Sequence, residues 1–72
     1  MKVIKYYRIY DGECYLHSGL NCTSKKDVKD DLISLLGPDF DEVYEGHDPS
    51  LQTMLDVHGW TLEESNMKFE EH

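Results

Sequence analysis

The sequence predicts an α+β domain: a mainly antiparallel sheet with two helices on one face, in the order β-β-α-β-α-β, with room for an extra C-terminal strand. Three observations carry this. Asp11-Gly12 separates two runs rich in β-branched and aromatic residues, and Asp-Gly in that setting is a strong hairpin signal because a type I′ turn needs positive φ at both central positions. Two later stretches repeat apolar side chains at helical spacing between a capping residue and a closing glycine. The 72 residues show no repeat, low-complexity run or linker, so residues 1–72 read as one small acidic domain. Helices gathered on one face of an antiparallel sheet bury both apolar surfaces at once.

Residues 2–10, with Val3, Ile4, Tyr6, Tyr7, Ile9 and Tyr10, suit a first strand, and residues 13–20 the returning one. A two-residue Asp11-Gly12 turn sets Tyr10 opposite Glu13, Ile9 opposite Cys14, Arg8 opposite Tyr15, Tyr7 opposite Leu16 and Tyr6 opposite His17. Val3, Tyr7, Ile9, Cys14, Leu16 and Leu20 then form a core face. Ile4, Tyr6, Arg8, Tyr10, Glu13, Tyr15 and His17 form the other, where aromatics mix with ionisable groups.

Ser24 has N-cap chemistry, and Asp27 falls in the first turn, where the helix dipole favours an anion. Val28, Leu32, Leu35 and Leu36 follow as one stripe, of which Leu32, Leu35 and Leu36 are expected to bury against Ile9 and Leu16; Gly37 closes the helix and Pro38 prevents its continuation. Phe40 to Glu45, centred on Val43 and Tyr44, is expected as a short strand. Asp48 as cap and Pro49 at the first helical position open the second helix, lined by Leu51, Met54, Leu55 and His58 and closed by Gly59. In Trp60 to His72, Thr61 and Glu64 fit a capping box, but Leu62, Met67 and Phe69 make a poor helical stripe. A strand or hairpin fits better: with a turn at Ser65-Asn66, Trp60, Leu62, Met67 and Phe69 share a face and Glu63 opposes Lys68.

The net charge of −8 is unevenly spread: residues 1–29 carry six bases and three acids, residues 30–72 twelve acids and one base, Lys68. So acidic a surface opposes direct binding of nucleic acid. It either serves dispersal in water or speeds encounter with a basic partner. Two cysteines are too few for a disulfide-rich secreted scaffold, the first residues make no signal peptide, and no run approaches the roughly 20 apolar residues of a membrane span. A cytoplasmic protein with reduced thiols is expected.

Cys14, His17 and Cys22, with His47 or His58 as a fourth ligand, have the residue types of a zinc site. Cys14 and His17 are separated by an odd number of residues, however, so a strand points them to opposite faces. That argues against a metal site, and equally against a cysteine–histidine nucleophile, whose base must reach the thiol. No phosphate-cradling loop, Gly-x-Ser-x-Gly or His-Glu-x-x-His occurs. No cofactor and no enzymatic activity are expected. Asp39, Asp41, Glu42, Glu45 and Asp48 cluster, but a calcium loop beginning at Asp39 would place Val43 and Tyr44 where a ligand and a glycine belong.

Two surfaces remain as candidates. The first is this acidic run, either a solvated edge or a recognition surface for a basic protein, such as a nucleic-acid-binding one. The second is the face of Tyr6, Arg8, Tyr10 and Tyr15, with residue types enriched at binding hot spots, unless a helix or the C-terminal segment covers it. In size and charge the chain resembles small phage-encoded inhibitors of host defence nucleases, some of which mimic DNA; the likeness is of composition, with no motif behind it. The expected function is therefore protein binding, as an anti-defence type of inhibitor or an adaptor on a basic surface. The alternative is a structural or regulatory subunit that homodimerises through the tyrosine-rich hairpin face.

Overall fold

The computed structural model describes residues 3–70; the expected start of the first strand at Lys2, and Glu71 and His72, lie outside them. The elements are β1 (Tyr6–Asp11), β2 (Cys14–Tyr15), α1 (Lys25–Leu36), α2 (Pro38–Tyr44), α3 (Leu51–His58) and β3 (Trp60–Ser65). The fold is α+β, with a three-stranded antiparallel sheet of order β2-β1-β3. The middle strand is β1, so its Tyr7 and Ile9 are shielded on both sides and on one face. That face, with Leu62 opposite Ile9 and Trp60 opposite Asp11, packs on all three helices. Ile9, Val28, Leu32 and Met54 are fully enclosed there, with Tyr7, Tyr44 and Leu55 nearly so.

The hairpin is present, but one residue later than expected. Asp11 pairs with Cys14 and Tyr10 with Tyr15, so Gly12 and Glu13 are the central turn residues. Gly12 has φ +66° while Glu13 is not in the left-handed region, the pattern of a type II′ turn, which needs glycine only at its first central position. Asp11 is thereby freed to remain in the central strand. The faces keep their parity under this shift, because each partner changes by two.

The returning strand is much shorter than residues 13–20. After Leu16, whose N–H still donates to the Ile9 carbonyl at 2.8 Å, the chain loops out and rejoins β1 only at Cys22, opposite Tyr7. Gly19 makes the excursion feasible: its φ is +82°, and a Cβ there would lie 3.3 Å from Val28 Cγ1. The loop takes Leu20 to a half-buried position, while Cys14 and Val3, expected in the core, are exposed.

The first helix begins and ends as its caps dictate. Ser24 Oγ accepts from Asp27 N–H at 3.1 Å, and Gly37 N–H donates to the Ile33 carbonyl at 3.0 Å. Its buried stripe is Val28, Leu32 and part-buried Leu36, flanked by Ile33. Leu35, expected inside, is 48% exposed; at about 100° per residue it and Ile33 lie on opposite flanks of the stripe, and Ile33 takes the inner one.

Residues 40–45 are helical, not a strand. Pro38 stops α1 and also starts α2, since its missing N–H costs nothing in a first turn. Helical spacing then puts Phe40 beside Tyr44, with ring centroids 5.0 Å apart, and rolls Tyr44 into the core while Val43 faces outward. Three helices therefore cover the sheet instead of two.

The cap of α3 is Ser50, not Asp48: Ser50 Oγ accepts from Thr53 N–H at 3.2 Å. Pro49 is buried just ahead of it. Gly59 closes α3 in the left-handed region, φ +69°, and turns the chain directly into β3. The C-terminal stretch is a strand as far as Ser65, but residues 66–70 form no second one. Glu63 accordingly pairs not with Lys68 but with Arg8 on β1, at 2.9 Å.

Candidate interaction surfaces

The acidic run lies on α2 and the turn that follows it. Asp39, Asp41, Glu42 and Glu45 are exposed and make no ion pair among the described residues. Asp48 differs: Lys29 Nζ from α1 reaches its carboxylate at 2.7 Å, so a base from outside the run neutralises it at that end. The ammonium is largely sheltered and the carboxylate mostly in water, a geometry in which the pair adds at most about 1 kcal/mol.

Two of these acids sit where folding does not favour them. Asp39 and Asp41 are in the first turn of α2, where the dipole welcomes a negative charge. Glu42 lies toward the other end, where it does not. Glu45 caps that end in a left-handed conformation, φ +51°, which costs a non-glycine residue about 1–2 kcal/mol. Neither last turn, of α1 or of α2, carries a base. From Asp30 to His58 the chain has eight acids and no Lys or Arg, and all of these acids are exposed. From Asp30 onward the outer surface of the helical layer is thus acidic, while Lys25 and Lys26, exposed in the first turn of α1, are basic.

The opposite sheet face, free of helices, holds Tyr6, Arg8, Tyr10 and Tyr15, all half-buried. Here Arg8 is the organising group. Its Cζ lies 4.0 Å from the Phe69 ring centroid, 4.7 Å from Tyr10 and 5.9 Å from Tyr15, while Nη2 donates to Glu63. Stacking on several rings with one carboxylate partner suits the planar, weakly hydrated guanidinium. His17 sits beside Tyr15, their rings edge to face at 5.5 Å.

The cysteines and His17 do not converge. Cys14 is exposed on the hairpin, whereas Cys22 Sγ donates to Asp31 Oδ2 at 3.3 Å. That carboxylate oxygen also accepts from Gly19 N–H at 3.1 Å, so Asp31 fastens the loop to α1. Burial, the hydrogen bond to Asp31 and the charges of Asp31 and Asp27 push the Cys22 thiol up to about 11. Among the described residues no three histidine, cysteine or acidic side chains gather closely enough to hold a metal ion.

An aromatic row went unpredicted: Phe40, Tyr44, His58 and Trp60. Tyr44 meets His58 at 6.0 Å, and His58 stacks on Trp60 at 4.4 Å. The Tyr44 hydroxyl and His58 Nε2 are buried without a hydrogen-bond partner among the described residues, and burial raises the Tyr44 pKa. The sequence signal, Phe40 and Tyr44 four apart, is visible only once residues 38–44 are read as a helix.

No protein-family model, no curated protein and no solved structure matches the chain. No helix among the described residues is long and apolar enough to cross a membrane.

Proposed function

We propose that this is a small acidic binding protein whose helical layer occupies a basic surface on a partner protein, as an inhibitor or adaptor. One observation carries the reading: the exposed acids of α2 and its C-terminal turn are set where the helix gains nothing from Glu42 and is strained at Glu45. Like charges crowded on one edge repel, so folding does not account for Glu42 and Glu45, while the summed field of all four acids attracts and orients a basic surface. Nucleic-acid-binding proteins present such surfaces by necessity, which makes a DNA-mimicking inhibitor, of the kind phages direct at host defence, the sharpest form of the proposal.

The test uses the chain immobilised on a solid support and a host extract at low salt. Basic proteins retained by the native chain, released by salt and absent from a column carrying D39N/D41N/E42Q/E45Q, support the reading. Equal retention on both columns refutes it. The second reading, a homodimer through the tyrosine face, draws on the fact that no helix covers Tyr6, Tyr10 and Tyr15.

A further inference from the structure

The segment after β3 is held by an arrangement that reads a peptide backbone. Asn21 Nδ2 donates to the Phe69 carbonyl at 2.9 Å, and Phe69 N–H donates to Asn21 Oδ1 at 2.8 Å. One side-chain amide thus satisfies both main-chain groups of one residue, as a neighbouring strand would. Asn21 does this from a left-handed conformation, φ +60°, which asparagine tolerates better than most residues. The Phe69 ring meanwhile lies over Arg8, whose guanidinium is fixed by Glu63 and flanked by Tyr10 and Tyr15.

The rest of the segment is loosely attached. Asn66, Met67, Lys68 and Glu70 are exposed. The Met67 N–H donates only to nearby Ser65 Oγ, at 3.1 Å. Every hydrogen bond from residues 66–70 to a distant part of the chain, among the described residues, is made by Phe69. The chain bends at Asn66 and Met67 and forms no regular structure beyond them, so release needs no strand or helix to break.

We infer that residues 66–70 are an exchangeable strap, and that the receptor formed by Asn21, Arg8, Tyr10 and Tyr15 accepts the same segment from a second copy of this chain. The contacts are the same in cis and in trans, so the occupant that demonstrably fits is this sequence itself. Exchange of two straps gives a closed, symmetric dimer. The tether favours the cis form through an effective concentration on the order of mM, so the native chain exchanges measurably only near that concentration. Net charges of −8 on both copies repel each other, so salt promotes exchange. The inference concerns the sheet face away from the acidic layer and does not depend on the acidic-surface reading. It gives the homodimer alternative a specific form.

Two full-length variants test it by complementation. Asn21→Ala has an intact strap and a receptor without its amide clamp; Phe69→Ala has an intact receptor and a strap that keeps its main-chain groups but lacks the ring that packs on Arg8. Each alone, at about 1 mM, the scale of the tether's effective concentration, is expected to sediment as a monomer, and their mixture as a one-to-one heterodimer. Phe69→Trp in place of Phe69→Ala keeps the cis strap and should abolish the effect of mixing. A mixture that stays monomeric overturns the inference, and so does dimerisation of either variant alone, which would mark a bare tyrosine-face contact. Should a variant fail to fold, hydrogen exchange on the native chain decides: Phe69 N–H exchanging at least 100-fold faster than the amide of Arg8, in the middle of the β1–β3 pairing, on the order of 3 kcal/mol less protection, supports a detachable strap. Equal protection of the two overturns it.

Discussion

At the scale of single residues, burial separates side chains that composition cannot. Leu32 and Leu35 are three apart on one helix, yet Leu32 is fully enclosed and Leu35 about half exposed. Leu32→Ala should cost about 2–5 kcal/mol, because the surrounding core closes only partly over the cavity. Leu35→Ala should cost no more than about 1 kcal/mol. Denaturant melts of both variants check this, and comparable losses would mean that Leu35 belongs to the core after all. Cys22 gives a second residue-level prediction. Its thiol titrates near 11 in the fold against 9.0 unperturbed, so the unfolded chain gives up that proton first as pH rises. The contribution to stability is complete below pH 9 and declines between about 9 and 11. Cys22→Ala should flatten that decline, and in the native folded protein thiol reagents should modify exposed Cys14 ahead of Cys22. Unfolding curves collected across this range, and mass spectrometry of the labelled protein, provide the readouts.

At the scale of elements, most of the fold was legible where local chemistry has one solution. Ser24 with Asp27, the closing glycines at 37 and 59, and the β-rich run before Gly12 each led to the right element. Several failures share a cause: two nearby residues, or two uses of one residue, offered the same service and tertiary structure chose between them. Gly12 could be the second or the first central turn residue, and the central position of Asp11 between Cys14 and Trp60 selected the first. Asp48 and Ser50 could each cap α3. Lys29 took Asp48, leaving Ser50 to the backbone. Pro38 reads equally as a stop and as a start, and Val43-Tyr44 has strand propensity, so the sequence predicts a strand where α2 forms. The Asn21–Phe69 clamp spans 48 residues and no local pattern announces it. The choice of cap is testable. Ser50→Ala should cost about 1 kcal/mol, as should Ser24→Ala. Asp48→Asn should cost less than either, since only an exposed ion pair is lost. A larger loss at Asp48 than at Ser50 in thermal melts would reverse the assignment.

At the scale of the whole molecule, the acidic layer sets stability against association, and the two can be measured separately. Most substitutions destabilise a protein by about 1 kcal/mol. Here the opposite is expected at two positions. Glu45→Gly removes the left-handed strain and should stabilise by about 1 kcal/mol. Glu42→Gln removes an anion from the end of α2 where the dipole is negative, and should add about 0.3–1 kcal/mol at low salt. Asp39→Asn should do the reverse, because its carboxylate faces the positive end of the same helix. D39N/D41N/E42Q/E45Q should fold nearly as well as the native chain, because the gain at Glu42 and the relief of repulsion offset the losses at Asp39 and Asp41, while Gln at position 45 leaves the left-handed strain in place. Its association with the basic partner should nonetheless slow, with affinity lost mainly through the on-rate and largely restored to parity at 1 M salt, where the Debye length is about 3 Å. In the same assay Tyr6→Ala and Tyr15→Ala, on the far side of the sheet, should leave association unchanged. Faster dissociation in the tyrosine variants, with an unaltered on-rate in the acidic set, would move the binding surface to the sheet face and leave the unfavourable carboxylates on α2 without a role. For Glu42→Gln and Glu45→Gly, stability rising while association slows is the signature of charge retained for a partner at the expense of the fold, and neither solubility alone nor a tyrosine-face dimer produces both changes together.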